Sequence, residues 1–406
     1  MTPDRPATEL LRGGYLADGG KADVRVGDGV VQAVGALTPL PGEPVVELDG
    51  RLLLPAFAEP HIHLDKAFTA DRTVNRAGDL AGAMDGYSSV FADLRPGDIR
   101  ARALSALRRF VAAGTTVVRC QTGCGPLSGV IAVEVLAALR DDVAGVVRLE
   151  VVAHAAVPEG GAAAHRALLR RAVDAGADLI GGNPCIEADP AQALATCFEV
   201  AAERGCGVDL HVDESTDPSV LTLPEVARHA REQEVPVTAA HCVSLGSLPA
   251  GRAREVAGQV AAAGVGVVAL PSTNLYLQGR SGARRGVRGL TAIDVLRTAG
   301  VTVAAGSDNV QDPFNPMGRC DPLETASLLV TAGHQPVSVA AAMVGPRARA
   351  LLGLPPAGPV PGAVADLVAL RADGPGDAVA RAPNDRIVWR HGRVVARTEV
   401  AGEVAL

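Results

Sequence analysis

A repeated local pattern dominates the middle of the sequence. An alanine-rich amphipathic run ends at a glycine, and β-branched apolar residues follow at once, as where Gly114 precedes residues 115–118 and Gly300 precedes residues 301–303. Glycine suits the left-handed position that ends a helix, and the apolar run after it is typical of a buried strand. Each repeat therefore predicts one helix followed by one strand.

Eight such strands are predicted along the chain. They lie near residues 53–63, 115–122, 149–155, 179–185, 207–212, 236–242, 266–270 and 301–308. Eight strands alternating with helices favour an α/β fold with a closed (β/α)8 barrel of the TIM type. A chain of 406 residues is long enough for this barrel and a small accessory domain.

The two ends of the chain differ from its middle. Short alternating segments and turns fill residues from about 9 to 50 and from about 362 to 406. Pro355, Pro356 and Pro359 mark the end of the barrel pattern. We predict a barrel formed by residues 56–355 and a small β domain of the sandwich type, formed jointly by residues 1–55 and 356–406.

Composition argues against several classes of function. The net charge is -7, without the basic stripe that nucleic-acid binding requires. The polar N-terminus predicts no signal peptide, and the longest uncharged stretch, residues 256–279, contains glycine and proline and predicts no membrane span. Seven cysteines without zinc-ribbon spacing are typical of free thiols. We expect a cytoplasmic protein without nucleic-acid or membrane partners. A homo-oligomer is possible, and the sequence does not decide the oligomeric state.

Histidine and aspartate residues stand at the ends of four predicted strands. They are His61, His63, His211, His241 and Asp308. Catalytic metal sites use three or four imidazole or carboxylate ligands and leave a position for water. His61 and His63 are two residues apart, so a strand places both on one face. Because barrel enzymes carry catalytic groups at the carboxyl ends of strands, this pattern predicts a metal site that activates water.

Other histidines have a more ordinary interpretation. A lone histidine on an apolar segment is more often a hydrogen-bonded core residue than a ligand, and we expect this role for His154 and His229. Neither belongs to the regular series at the strand ends. They are therefore not among the predicted metal ligands.

Four segments resemble the amidohydrolase superfamily and, within it, the cytosine deaminase-like branch. They are residues 55–65, 211–214, 274–280 and 306–318. The resemblance implies one divalent ion, zinc or iron with manganese as a third candidate, and hydrolysis of a C–N bond in a nucleobase-like ring. The predicted fourth strand ends in Asn183, Pro184 and Cys185 and offers no lysine, so a carboxylated bridging lysine and a second metal are not expected.

The resemblance also implies a role for individual residues. The residues that match the family's metal ligands are His61, His63, His211 and Asp308. Glu214 matches the proton shuttle, His241 matches the histidine that assists attack, and Asp308 also takes a proton from water. Positioned proton transfer of this kind contributes about 10²–10⁴-fold to a rate. The ordinary alternative for Glu214 is a surface carboxylate.

Departures from the cytosine deaminases concern the substrate. Residues 152–158 lack the glutamine that reads the pyrimidine edge, Asn309 replaces a second aspartate, and Phe314 replaces a tryptophan. Residues 63–66, which include Lys66, are more similar to the hydrolases of N-alkyl aminotriazines such as N-isopropylammelide. The main hypothesis is hydrolysis of the exocyclic C–N bond of a cytosine-like heterocycle, and an aminotriazine amidohydrolase is the alternative.

A small planar heterocycle is therefore the expected partner. The residues predicted to contact it are Lys66, Phe68, Gln278, Asn309 and Phe314. Ordinary packing is the alternative role for the two phenylalanines. Two further hypotheses are a lyase that uses Lys66 to form a Schiff base and a barrel that serves only as a scaffold. The set of metal-type ligands and the presence of Glu214 argue against both.

Overall fold

The computed structural model describes residues 8–91, 95–125, 128–280 and 288–403. The chain forms two compact units. The first comprises Met1–Ala58, Leu107–Val117 and Asp321–Leu406, and the second comprises Glu59–Ala106 and Val118–Cys320. The domain boundaries predicted at residues 55/56 and 355/356 stay a prediction.

Strands and helices alternate through the middle of the described chain. The strands are β1 (Thr8–Tyr15), β2 (Lys21–Gly27), β3 (Val30–Gly35), β4 (Val45–Glu47), β5 (Leu52–Pro55), β6 (Phe57–Ile62), β7 (Thr115–Cys124), β8 (Arg148–Ala155), β9 (Leu179–Gly182), β10 (Gly207–Val212), β11 (Val237–His241), β12 (Gly266–Ala269), β13 (Val303–Ala305), β14 (Leu367–Leu370), β15 (Arg386–Arg390) and β16 (Arg393–Thr398). The helices are α1 (Leu80–Phe91), α2 (Pro96–Ala112), α3 (Ile131–Val143), α4 (Gly161–Asp174), α5 (Pro190–Arg204), α6 (Leu223–Gln233), α7 (Ala250–Ala262), α8 (Pro271–Leu277), α9 (Ile293–Thr298), α10 (Pro322–Thr331), α11 (Val337–Met343), α12 (Pro346–Leu351) and α13 (Pro375–Arg381).

An eight-stranded sheet runs from β6 to β13 in chain order. The pairings from β8 to β13 are all parallel. A parallel bridge joins Ile62 to Asp308, so the first strand meets the segment that follows the last and the ring is nearly closed. The predicted α/β barrel of the TIM type is confirmed.

A second sheet contains strands from both ends of the chain, in the order β16-β15-β14-β5-β1-β2-β3 with β4 beside β1. Most of its pairings are antiparallel. Its core includes the fully buried side chains of Leu11, Val24 and Trp389, and burying an apolar side chain of this size stabilises a fold by about 1.5–3 kcal/mol. The predicted β domain formed by both termini is confirmed.

The first predicted barrel strand, residues 53–63, is longer than the barrel strand in the structure. It is two strands, because β5 pairs antiparallel with β14 in the second sheet and only β6 belongs to the barrel. Both segments are largely buried and follow one another with a single residue between them, so the sequence pattern alone did not separate them.

The helix ends follow the predicted chemistry. Gly114 and Gly300 have φ angles of 100° and 92°, as expected where a helix turns into a strand. The buried residues Leu223, Val226, Ala227 and Ala230 are spaced along one face of α6. Within the described residues, no helix is both long enough and apolar enough to span a membrane.

Candidate metal centre and active site

Four buried side chains converge at the carboxyl ends of the barrel strands, all within the second unit. His61 lies in β6, His211 in β10 and His241 at the end of β11, while Asp308 follows β13. One nitrogen or oxygen from each lies within 4.8 Å of the other three. Strands from different parts of the chain thus bring these donors together.

His63 joins the same cluster from the residue after β6. Its Nε2 lies 3.1 Å from Nε2 of His211 and 3.3 Å from Oδ1 of Asp308. Nε2 of His61 lies 3.5 Å from that same oxygen. All four ligands predicted from the sequence therefore lie together, with His241 as a fifth candidate donor.

Several atoms of this cluster have no hydrogen-bond partner in the described part of the chain. They are Nδ1 and Nε2 of His61, Nδ1 of His211, Nε2 of His241 and both carboxylate oxygens of Asp308. Buried polar atoms without partners are costly and rare in folded proteins. A divalent cation would satisfy one nitrogen of an imidazole and the carboxylate of Asp308, so these residues fit a metal ion.

The protonation of the histidines also suits a metal. Burial, with a contribution from the Lys66 ammonium, lowers the pKa of His63 to about 4. Burial likewise lowers the pKa of His211 well below its ordinary value, and neighbouring histidines add to this. Both rings are neutral at physiological pH, which is the form in which imidazole binds a metal.

Glu214 and His241 face each other beside the cluster. Oε2 of Glu214 lies 3.8 Å from Nε2 of His241. Glu214 is only 7% exposed, and burial raises the pKa of its carboxyl group. It is therefore not a surface carboxylate.

A cavity of about 240 Å³ opens on the cluster. Three of the predicted substrate contacts, Lys66, Asn309 and Phe314, are among its lining residues. Nζ of Lys66 lies 3.8 Å from the centre of the Phe314 ring and 5.4 Å from that of Tyr87. The ammonium therefore rests on aromatic faces, where a cation is attracted by the ring.

Asn309 is held in place on both sides of its amide. Its Nδ2 donates a hydrogen bond to Oδ2 of Asp312 at 2.8 Å, and its Oδ1 accepts one from the Thr273 hydroxyl at 3.3 Å. Asn309 is 2% exposed. It is a firmly held residue of the cavity wall.

Two other predicted contacts are not among the residues found to line this cavity. Gln278 is buried after α8, where Gly289 packs so closely that a Cβ there would lie 2.1 Å from Oε1 of Gln278. The backbone nitrogen of Phe68 donates to the carbonyl of Val310 at 3.0 Å. A direct role of Gln278 and Phe68 in substrate binding stays a prediction.

His154 is a cavity residue that the sequence interpretation missed. Its ring centre lies 4.2 Å from that of His211 and 5.8 Å from that of His63, and Nδ1 has no hydrogen-bond partner within the described ranges. The expected hydrogen-bonded core role is therefore wrong for His154. Its position next to the end of the predicted third strand was the signal that could have identified it. His229, by contrast, stacks on Phe198 at 5.1 Å, away from the cluster.

Comparison with known proteins agrees with the geometry. The profile of the amidohydrolase family matches residues 90–396, and the chain belongs to this family. Pterin deaminase of Rhizobium rhizogenes is 34% identical to it over 391 residues, which cover 93% of this chain and 88% of the relative. The predicted resemblance to this superfamily is confirmed.

Two solved structures share the fold at somewhat lower identity. The 5-methylcytosine deaminase from Klebsiella pneumoniae, liganded with 5-fluorocytosine, is 27% identical with a TM-score of 0.88, covering 98% of this chain and 99% of that one. N-isopropylammelide isopropylaminohydrolase from Burkholderia multivorans is 28% identical with a TM-score of 0.83, covering 96% and 98%. The chain is an enzyme of this family, a hydrolase of C–N bonds, which disfavours the scaffold and Schiff-base hypotheses.

Proposed function

We propose that this enzyme is a metal-dependent hydrolytic deaminase that removes an exocyclic amino group from a cytosine-like ring. Pterin and methylcytosine, which appear in the names of two of the proteins above, share an amino-substituted pyrimidinone ring. The observation that carries the proposal is the buried carboxyl of Glu214 in the wall of the cavity that His63, His211 and Asp308 also line. The substrate is thus a pyrimidinone, alone or fused to a second ring.

The proposed ligands of the ion are His61, His63, His211 and Asp308, with zinc or iron as the expected metal and manganese as a third candidate. When bound, a divalent ion makes water acidic enough to act as a nucleophile at neutral pH. His241 presents its unpartnered Nε2 to the same space. It is proposed to hold the attacking oxygen in place by a hydrogen bond.

Glu214 is proposed to move the protons of the reaction. In its protonated form it donates to the ring nitrogen beside the amino-bearing carbon, which makes that carbon more electrophilic. After water has added, the Glu214 carboxylate takes one proton from the added oxygen and passes it to the amino group, and the C–N bond breaks. The second proton of water returns to Glu214. Ammonia leaves, and the ring carbon keeps the oxygen of water as a carbonyl. Such transfers are effective when the pKa of the group lies near the working pH, and burial moves the pKa of Glu214 in that direction.

Lys66 is proposed to read a carbonyl oxygen of the ring. Its ammonium lines the cavity and offers hydrogen-bond donors only. Nζ of Lys66 lies 3.8 Å from the centre of the Phe314 ring, so the ammonium already covers that face of the ring. Phe314 is therefore proposed to hold the Lys66 ammonium in place. A substrate ring would stack on the opposite face of Phe314.

Hydrolysis of an N-alkyl aminotriazine is the second candidate. The 28% identity to the N-isopropylammelide enzyme supports it. The cavity also has an apolar section, lined by Leu80, Met84 and Ile186, in which an alkyl group could pack. The same section would equally accept the second ring of a pterin.

The test is turnover by the purified enzyme loaded in turn with Zn²⁺, Fe²⁺ and Mn²⁺. Ammonia or amine release is measured for cytosine, 5-methylcytosine, isocytosine, pterin, N-isopropylammelide and creatinine, with metal-loaded Glu214→Gln as the control. We expect ammonia from at least one amino-substituted pyrimidinone. Release of isopropylamine alone would favour the second candidate, and no release from any member of the panel would contradict both. The cytoplasmic location, the absence of nucleic-acid and membrane partners and the oligomeric state stay predictions.

A further inference from the structure

Glu59 has a buried carboxyl group that contacts residues beside both ends of the metal-ligand set. It lies in β6, two residues before His61, and is 1% exposed. Its Oε1 accepts hydrogen bonds from the backbone nitrogens of His61 and Ser307, each at 3.1 Å. Its Oε2 accepts from the backbone nitrogen of Ser307 at 3.0 Å and from the Ser307 hydroxyl at 2.6 Å. One side chain thus joins the first barrel strand to the segment after the last.

The packing around Glu59 leaves no room for a side chain at Gly306. A Cβ on Gly306 would lie 2.5 Å from Oε1 of Glu59 and 2.9 Å from the carbonyl oxygen of His61. Contacts this short between non-bonded atoms are not tolerated, and the second involves backbone that cannot easily move. Glycine at this position lets the Asp308 segment approach β6 closely.

Backbone bonds continue the same junction. The nitrogen of Asp308 donates to the carbonyl of His61, and the nitrogen of His63 donates to the carbonyl of Asp308, both at 2.9 Å. Asp308 itself has a φ angle of 62°, in the left-handed region that non-glycine residues seldom adopt. β13 ends at Ala305, and beyond it the segment meets the end of β6 through the isolated parallel bridge between Ile62 and Asp308. Beside that bridge, the Glu59 carboxyl group accepts hydrogen bonds from the backbone nitrogens of His61 and Ser307.

Nothing in the described residues pairs Glu59 with a basic side chain. Its partners are two backbone nitrogens and one hydroxyl, all belonging to His61 and Ser307. A buried acidic group held only in this way is costly, and burial, opposed by the hydrogen bonds from Ser307 and His61, raises the pKa of Glu59 to about 8. What these contacts supply is geometry, because they tie the backbone of His61 to that of Ser307.

We propose that Glu59 is a positioning residue that sets the distance and orientation between the metal ligands His61 and Asp308. The inference rests on the proposed function only in taking this cluster as a divalent-metal site. Side chains that orient metal ligands through hydrogen bonds typically change metal affinity about 10–100-fold when they are replaced. The same order of effect is expected here.

The experiment measures Zn²⁺ affinity by competition with a chromophoric chelator, and the visible absorption spectrum of the Co²⁺-loaded protein. Glu59→Gln keeps the size of the side chain but turns an NH2 group toward backbone N–H groups. It should weaken Zn²⁺ binding about 10–100-fold and alter the Co²⁺ spectrum. Ser307→Ala removes only the hydroxyl bond and should weaken binding about two- to tenfold. This second variant keeps the inference testable if Glu59→Gln does not fold.

The matched control is Asp366→Asn, which alters a buried carboxylate of the first unit that accepts hydrogen bonds from Arg349 and Thr116. It should lower the thermal unfolding temperature without changing Zn²⁺ affinity. Wild-type affinity and spectrum in both Glu59→Gln and Ser307→Ala would overturn the inference. An equal loss of affinity in Asp366→Asn would also overturn it, because the effect would then follow from stability alone. If the wild-type protein itself bound neither ion, the proposed function would fail together with the inference.

Discussion

Nδ1 of His241 lies 2.8 Å from Oδ1 of Asn274, which joins the end of β11 to α8. An amide oxygen only accepts hydrogen bonds, so in this arrangement Nδ1 carries a proton and Nε2 is the nitrogen directed toward the metal cluster. The contact therefore selects the histidine tautomer that faces the cavity.

Replacing Asn274 should remove the hydrogen bond that selects this tautomer of His241. Asn274→Leu keeps the volume but removes the acceptor, and we expect kcat to fall about 10–100-fold because the His241 ring loses its fixed tautomer. Steady-state kinetics checks this, with Asn274→Asp as the matched variant that restores an acceptor. An equal loss of kcat in both variants would mean that the packing of residue 274, and not its hydrogen bond to His241, determines the rate.

Removal of the metal should abolish activity. Because the buried donors of His61 and Asp308 lack partners in the described chain, we expect His61→Ala and Asp308→Ala to lose the ion and all measurable turnover while remaining folded. Elemental analysis, circular dichroism and ammonia release, each before and after treatment with a strong chelator, provide the check. His229→Gln, which alters a histidine on α6 stacked against Phe198, should behave as wild type. Full activity in a metal-free sample would refute this prediction.

Glu214→Gln should separate proton transfer from metal binding. The amide has the same size but cannot shuttle protons, so we expect the bound metal to be retained and turnover to fall. A loss of about 3–5 kcal/mol in transition-state stabilisation is expected if both proton transfers depend on this carboxyl group. Metal content and kcat/KM are measured on the same preparation. Near-normal turnover would show that another group transfers the protons.

Lys66→Met should weaken recognition of a ring carbonyl. The variant keeps a long apolar side chain over Phe314 but loses the charged donor, and such a hydrogen bond is worth about 1.5–3 kcal/mol. We expect kcat/KM to fall about 10–100-fold for substrates with a carbonyl group. Phe314→Leu, which keeps the donor and removes the aromatic face, should have a smaller effect. The opposite order would mean that stacking on Phe314 dominates binding.

Asp312 should make stability depend on pH. Burial, opposed by Lys66 and by the hydrogen bond from Asn309, raises the pKa of its carboxyl group from 3.8 to about 6. The folded state therefore favours the protonated form, so this contribution to stability is complete below pH 3.8 and is lost as the pH rises through about 6. The loss amounts to about 3 kcal/mol at most.

Asp312→Asn cannot ionise, so its free energy of unfolding relative to wild type should rise between pH 4 and pH 7. Urea denaturation at several pH values measures that difference. A constant offset across the range would show that Asp312 does not titrate in this interval.

Local sequence signals determined much of the fold of this protein and part of its candidate site. The glycines at several helix ends, the apolar runs that follow them and the number of repeats were sufficient to predict the barrel. The two-residue spacing of His61 and His63 was sufficient to place both rings on one face. These are properties of a few neighbouring residues, and backbone geometry converts them directly into structure.

Tertiary structure alone decided which distant side chains meet. Lys66 rests on Phe314 and Glu59 holds Ser307, although almost 250 residues separate each pair along the chain. His154, expected in the core, lines the cavity because β8 lies among the strands whose ends form the site. No period in the sequence encodes such contacts, since they depend on strand order, on barrel closure and on the direction in which each side chain leaves its backbone.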